Sequence, residues 1–189
     1  MTLEFLVRRQ EYDLEDLVFV DECGINLQMA RLVGWAPKGQ RLFDSKPGAY
    51  AKNYTVLGGM TQQGMEALMT IEGGTSSAVF YQFAQKVLLP QLQPGQVVVL
   101  DNLTAHRTQE TRELFEEHGV HLLFIPPYSP EWNPIEWAWS KVKTFLRQYA
   151  ARSLQALEDA LVQAADLVSP QEATNMILEC GYNPPETCL

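Results

Sequence analysis

Three carboxylates of this chain stand where a solvated acid has little reason to be. Asp21 lies inside the apolar run LVFVDECGINL, Asp101 closes VVVLDN, and Glu136 sits just inside PEWNPIEWAWSKVK. An ionised carboxylate removed from water is costly unless a cation or hydrogen bonds compensate it, so three that converge favour a bound divalent metal ion. Each also has a local alternative. Asp101 is followed by Asn102 and Thr104, where an Asp ending a strand often caps the next loop. Asn133, Pro134 and Glu136 fit the N-cap, first and third helical positions of a capping-box variant.

Further residues could serve a phosphate-bearing ligand. On a 3.6-residue period Glu136, Ser140, Lys143 and Arg147 share one helical stripe, so an acid begins a face that continues in cations; a solvated face is the alternative. Trp132, in the proline-dense segment PPYSPEWNP, is a candidate platform for base stacking, and His106 a candidate contact to phosphate or water beside Asp101.

The elements that would position these groups can be read from periodicity. Residues 17–27 alternate as a strand, with Phe19, Asp21, Cys23 and Ile25 on one face and Val18, Val20 and Glu22 on the other, which makes Asp21 rather than Glu22 the ligand. Residues 53–60 and 65–72 read as an antiparallel hairpin turning at Gly64. A helix over 76–92, capped by Ser76 or Ser77, ends near Pro90. PGQVVVLDN and HLLFIP read as strands covered on both faces, joined by a helix that Gly119 ends. A long helix over 134–149 turns Ile135, Ala138, Trp139, Val142, Phe145, Leu146 and Tyr149 to a core, and two amphipathic helices follow. The stretch GWAPKGQRLFDSKPGAYAKN reads as an irregular excursion with room for a short hairpin. This order describes a mixed α/β sheet with helices on both faces, in which the strand leading to Asp101 runs parallel to the strand of Asp21. Adjacent strands about 4.8 Å apart would let the two carboxylates share an ion.

The 189 residues, 46% of them hydrophobic, suffice for one ordinary domain, expected to span 1–189 with 151–189 as a C-terminal helical appendage. No apolar run reaches a membrane span, and no signal peptide opens the chain, so a cytoplasmic protein with no membrane association is expected. Cys23, Cys180 and Cys188 form no CxxC pair and read as reduced thiols. A net charge of −9 argues against a generic nucleic-acid binder, unless acids held for metal ions inflate the count and the cations cluster.

The segments VFVDECG, GWAPKGQR, VVVLDNLTAHR, LLFIPPYSPEWNPIEWAWSKVK and ECGYNP together resemble the DDE transposases of bacterial insertion sequences related to the mariner elements. The 34 residues between Asp101 and Glu136 agree with that pattern. The resemblance implies a ribonuclease-H-like fold with a five-stranded sheet and a catalytic, metal-binding triad of Asp21, Asp101 and Glu136. It implies two Mg²⁺ ions, with Mn²⁺ as substitute, and DNA as partner: transposon ends cut by water, then a 3′-hydroxyl joined to target DNA at a TA step. A homodimer is implied for the active complex, acting at the bacterial nucleoid. Lys143, Arg147, Trp132 and His106 become candidate DNA contacts. Relatives of full length carry N-terminal helix-turn-helix modules that this chain is expected to lack, so a catalytically silent interaction or regulatory module is the alternative function.

Overall fold

The computed structural model describes residues 2–43 and 52–183. Its sheet is built around β1 (Leu17–Asn26), which pairs antiparallel with β2 (Asn53–Thr61) on one side and parallel with β4 (Val97–Leu100) on the other. The antiparallel hairpin to β3 (Gly64–Glu72) and the parallel pairing of β5 (His121–Phe124) with β4 complete a five-stranded mixed sheet in the order β3-β2-β1-β4-β5. The hairpin turns where expected. Gly64 has φ of +123°, and a Cβ there would stand 2.6 Å from the Val168 carbonyl oxygen, so only glycine fits.

The alternation in β1 divides the core into two layers. Leu17, Phe19, Cys23 and Ile25 face three helices that follow the sheet, α4 (Ile135–Tyr149), α5 (Leu154–Asp166) and α6 (Pro170–Glu179). Val18 and Val20 face α2 (Ser77–Phe83), which continues through a π-helical and a 3₁₀ turn to Gln91, and α3 (Gln109–Glu117). Helices therefore cover both faces, as the apolar runs of β4 and β5 demand. Val97, Val98, Val99 and Leu100 expose no surface.

Several expectations give way to the packing. In the segment after residue 150, Leu157, Ala160, Leu161, Ala164, Ala173, Ile177 and Tyr182 belong to the same buried cluster as β1 and α4. Tyr149 is 44% exposed, because α4 ends there, at Ala150 in the left-handed conformation. Residues 34–43 of the excursion contain no strand, and residues 44–51, where the rest of a hairpin would fall, lie outside the described residues, as do Pro184 and Cys188. Cys23 and Cys180 are free and buried. A short helix the periodicity did not reveal, α1 (Thr2–Arg8), inserts Phe5 into the core, where it stacks on Trp132 at 5.3 Å. No helix among the described residues is long and apolar enough to cross a membrane.

Candidate active site

Parallel pairing places two of the acids. The β1–β4 register ends at Val20 opposite Leu100, so Asp21 and Asp101 are the next residues on adjacent strands. On its other side Asp21 pairs with Gly58 of β2, and the ring of Trp139 occupies the space a side chain would need there. Trp139 belongs to α4, whose apolar face also buries Ile135, Ala138, Val142 and Leu146. That packing brings the first turn of α4, with Glu136, over the point where β1 outruns β4. Asp21, Asp101 and Glu136 line one cleft of about 400 Å³, on the side of the carboxyl end of β4, where open α/β sheets bind ligands. The opposite wall is the loop from Ile125 to Asn133.

Burial and mutual repulsion dominate the electrostatics of the cleft. Burial, then the negative charge of Glu136, raise the Asp21 carboxyl from 3.8 to about 7; a hydrogen bond with the Glu22 backbone offsets part of the rise, and the charges of Glu22 and Asp101 add smaller pushes upward. A divalent ion would reverse all the repulsive contributions at once, and carboxylate oxygens are the donors that Mg²⁺ and Mn²⁺ prefer. Among the described residues, no group of three His, Cys, Asp or Glu side chains is arranged to hold an ion as it stands. Like-charged carboxylates without a cation repel one another, and Glu136 is exposed at the helix end. The donor set and the repulsion within it fit divalent ions; Asp21, Asp101 and Glu136 are the residues that would hold them.

Asp101 does cap its loop: Oδ1 accepts a hydrogen bond from the Leu103 backbone N–H at 3.1 Å. The capping box expected at Glu136 is absent. The Asn133 backbone N–H donates to the Pro130 carbonyl, Pro134 precedes the helix without a side-chain cap, and the buried Asn133 Oδ1 has no partner. The helix starts at Ile135 with Pro134 already in helical conformation, and the Glu136 carboxylate makes no capping bond to the backbone. A true capping box forms instead between Ser169 and Glu172 of α6.

The four candidate contacts separate. Lys143 and Arg147 line a second cleft of about 410 Å³, with Arg31 and Gly24, further along α4 from the acids. Trp132 is half-buried; Phe5 covers one face, and its carbonyl accepts from the Tyr182 hydroxyl at 2.8 Å. His106 exposes no surface, so it has none to offer a phosphate. Its Nε2 lies 2.9 Å from Glu22 Oε1 and its Nδ1 2.8 Å from Asp101 Oδ1. Only the first is a well-aligned hydrogen bond, because the Nδ1–H does not point along the second line. Burial alone would lower the imidazole pKa; the two carboxylates outweigh it and raise it to about 9.

Two participants escaped the sequence reading. Glu22 was set aside by strand parity, which places it away from the cleft but against His106. Tyr128, on the cleft wall, is fully exposed and holds φ of +61°, a strained conformation for a non-glycine residue. The proline density of PPYSP was its one signal.

A five-stranded mixed sheet with helices on both faces is a ribonuclease-H-like fold, and three acids, on its first strand, after its fourth and on the helix that follows its fifth, line one cleft of it. The sequence profile of the DDE superfamily endonucleases matches residues 16–158, and the chain belongs to that family. Its fold is that of the mariner transposases. The Mos1 transposase in a paired-end complex with the left transposon end superimposes with a TM-score of 0.74 at 17% identity, over 98% of this chain and 57% of that one. The Mos1 mariner paired-end complex with Mn gives 0.72 at 17%, over 95% and 56%. The catalytic domain of Mos1 mariner transposase gives 0.65 at 16%, over 95% and 84%. This chain thus spans little more than half of the first of these relatives. No curated protein matches it in sequence.

Proposed function

We propose that this chain is the catalytic domain of a DNA transposase of the mariner-related, insertion-sequence type. It cuts a phosphodiester at a transposon end and joins the resulting 3′-hydroxyl to target DNA at a TA step. The observation that carries this reading is the placement of Asp21 and Asp101 side by side beyond the β1–β4 ladder, with Glu136 of α4 on the same cleft.

The three acids would hold two Mg²⁺ ions, or Mn²⁺ in their place, and the pair when bound supplies Lewis acidity toward the attacking and leaving oxygens of an in-line displacement. The chain does the positioning. Asp21, on the central strand, is fixed by the ladder to β2 and by the end of the ladder to β4, so it sets the depth of the reacting phosphodiester. The proline-rich wall shields one side of the cleft, and exposed Tyr128 at its lip suits stacking against an unpaired base. Lys143 and Arg147 give the DNA backbone a path away from the cleft. That the Mos1 structures with Mn and Mg are paired-end complexes supports divalent-ion use and a homodimeric assembly for this chain as well.

The test is strand transfer of pre-cut oligonucleotides, carrying the ends that flank the gene, into a TA-containing plasmid. Wild type with Mn²⁺ should give joined product, and Asp101→Asn should reduce it by about 10²- to 10³-fold or more, the scale on which loss of one group that stabilises transition-state charge acts. Equal product from both proteins would overturn the reading.

A further inference from the structure

Asp101 occupies an awkward position for a residue whose geometry matters. The ladder between β1 and β4 stops at Val20 and Leu100, so Asp101 lies just beyond its last pair, whereas Asp21 remains inside its pairing with β2. Its side chain is 38% exposed, and without other restraint it would sample several rotamers. Two contacts restrain it, and both fall on Oδ1: the Leu103 N–H and the ring of His106.

We propose that His106 is a positioning residue for Asp101, and that Glu22 is the anchor that holds His106 in place. This rests on the reading of the three acids as a divalent-ion site. Glu22 follows Asp21 in β1 and therefore projects to the opposite face of the sheet. There it accepts the aligned hydrogen bond from His106 Nε2, with only 14% of its side chain exposed. Phe80 of α2 packs against the imidazole, ring centroids 4.2 Å apart, and closes it off from water. The brace runs from β1 through Glu22 and His106 to Asp101, and replaces with side chains the ladder that has ended. By engaging Oδ1 it leaves Oδ2 of Asp101 for the cleft. Since Asp21 and Glu22 are consecutive, the spacing of the two aspartates is tied to β1 by backbone pairing on one face and by the imidazole on the other. Partners one step removed from the metal commonly set its affinity in this way, their loss weakening binding about 10- to 100-fold.

The experiment is calorimetric titration of the metal-free protein with MnCl₂, alongside circular dichroism and melting in EDTA. His106→Gln can reach Glu22 but falls short of Asp101, so it should bind Mn²⁺ about 10-fold more weakly or worse while keeping the wild-type spectrum. Glu22→Ala frees the ring and carries the same expectation. Glu22→Gln keeps an acceptor for Nε2 and should restore affinity to within about threefold of wild type, a rescue that a merely space-filling role would not show. Should His106→Gln fail to fold, the two Glu22 variants decide. Wild-type affinity in a folded His106→Gln or Glu22→Ala overturns the brace alone; no Mn²⁺ binding by the wild type overturns the divalent-ion reading beneath it.

Discussion

Asp21 is held by its backbone in a place its charge resists. The alternation of β1 requires residue 21 to face α4, and the pairing with Gly58 leaves it no freedom to turn away. Its carboxyl titrates near 7, mainly through burial and then through Glu136, against 3.8 when solvated. A folded-state pKa above the unfolded one means that the folded protein holds the proton more tightly. The metal-free domain is therefore favoured at low pH and loses stability as pH rises from about 4 through 7. The expected loss is on the order of 2 to 4 kcal/mol, since a tenfold difference in proton affinity between the two states corresponds to about 1.4 kcal/mol. Asp21→Asn should accordingly raise the melting temperature in EDTA at pH 8 and leave it unchanged near pH 4. Mn²⁺ at pH 8 should stabilise the wild type and not the variant. A variant that melts lower than wild type at pH 8 in EDTA would show that the carboxylate is not strained.

At the scale of elements, the site depends on how α4 lies across the sheet, and Gly58 fixes that. A Cβ at residue 58 would come within 2.7 Å of Trp139 Cη2 and 2.9 Å of Leu68 Cδ2, so the ring and the strand can meet only over glycine. Gly58→Ala should destabilise the domain by about 1–3 kcal/mol through overpacking, and weaken Mn²⁺ binding by moving Glu136 away from Asp21. Trp139→Phe removes the clashing ring atoms and leaves only the end of the Leu68 side chain in the way, so the double variant should melt higher than the two single effects added together; simple additivity would show that the clash relaxes elsewhere. Such close approaches are not written in a single sequence, where GG within β2 reads only as a weakened strand. What could be read there was governed by local periodicity: the parity that separates Asp21 from Glu22, the buried valines of β4, the apolar stripe of α4. That Asp101 and Glu136 would share a cleft with Asp21 was legible through their company and spacing. The cap at Asp101, a turn two residues long, was legible as well; the missing capping box at Asn133 was not, because the Asn133 N–H is taken by the Pro130 carbonyl of the preceding turn. The brace from Glu22 to His106 joins residues 84 positions apart, beyond any local pattern. The small helix α1 is held by tertiary contacts of Phe5 that no seven-residue window contains.

For the whole molecule, the question is how a chain of net charge −9 would hold a polyanion. Net charge governs the far field, whereas binding at short range follows the charges that stand within about 10 Å, the Debye length at moderate salt. Arg31, Lys143 and Arg147 meet in the cleft beside the acids, at the end of β1 and on the inner stripe of α4. Along α4, Lys143 lies seven residues and Arg147 eleven residues beyond Glu136, about 10 and 16 Å at 1.5 Å per residue. Those separations would match phosphates a few nucleotides from one that the acids, on the proposed function, would engage. Neutralising a phosphate releases condensed counterions, so each such contact adds about 0.9 to the slope of log affinity against log salt for duplex DNA. The double variant Lys143→Ala/Arg147→Ala should therefore bind DNA more weakly at low salt, and its slope should fall by about 2 relative to wild type. Lys86→Ala, an exposed cation in the layer on the other side of the sheet, should leave the slope unchanged. Filter binding or fluorescence anisotropy between about 50 and 300 mM KCl, the range over which counterion release is read, follows both. An unaltered slope in the double variant would place the DNA path elsewhere on the surface, while a reduced slope in Lys86→Ala would mean that binding is diffuse and set by net charge, not by the cleft.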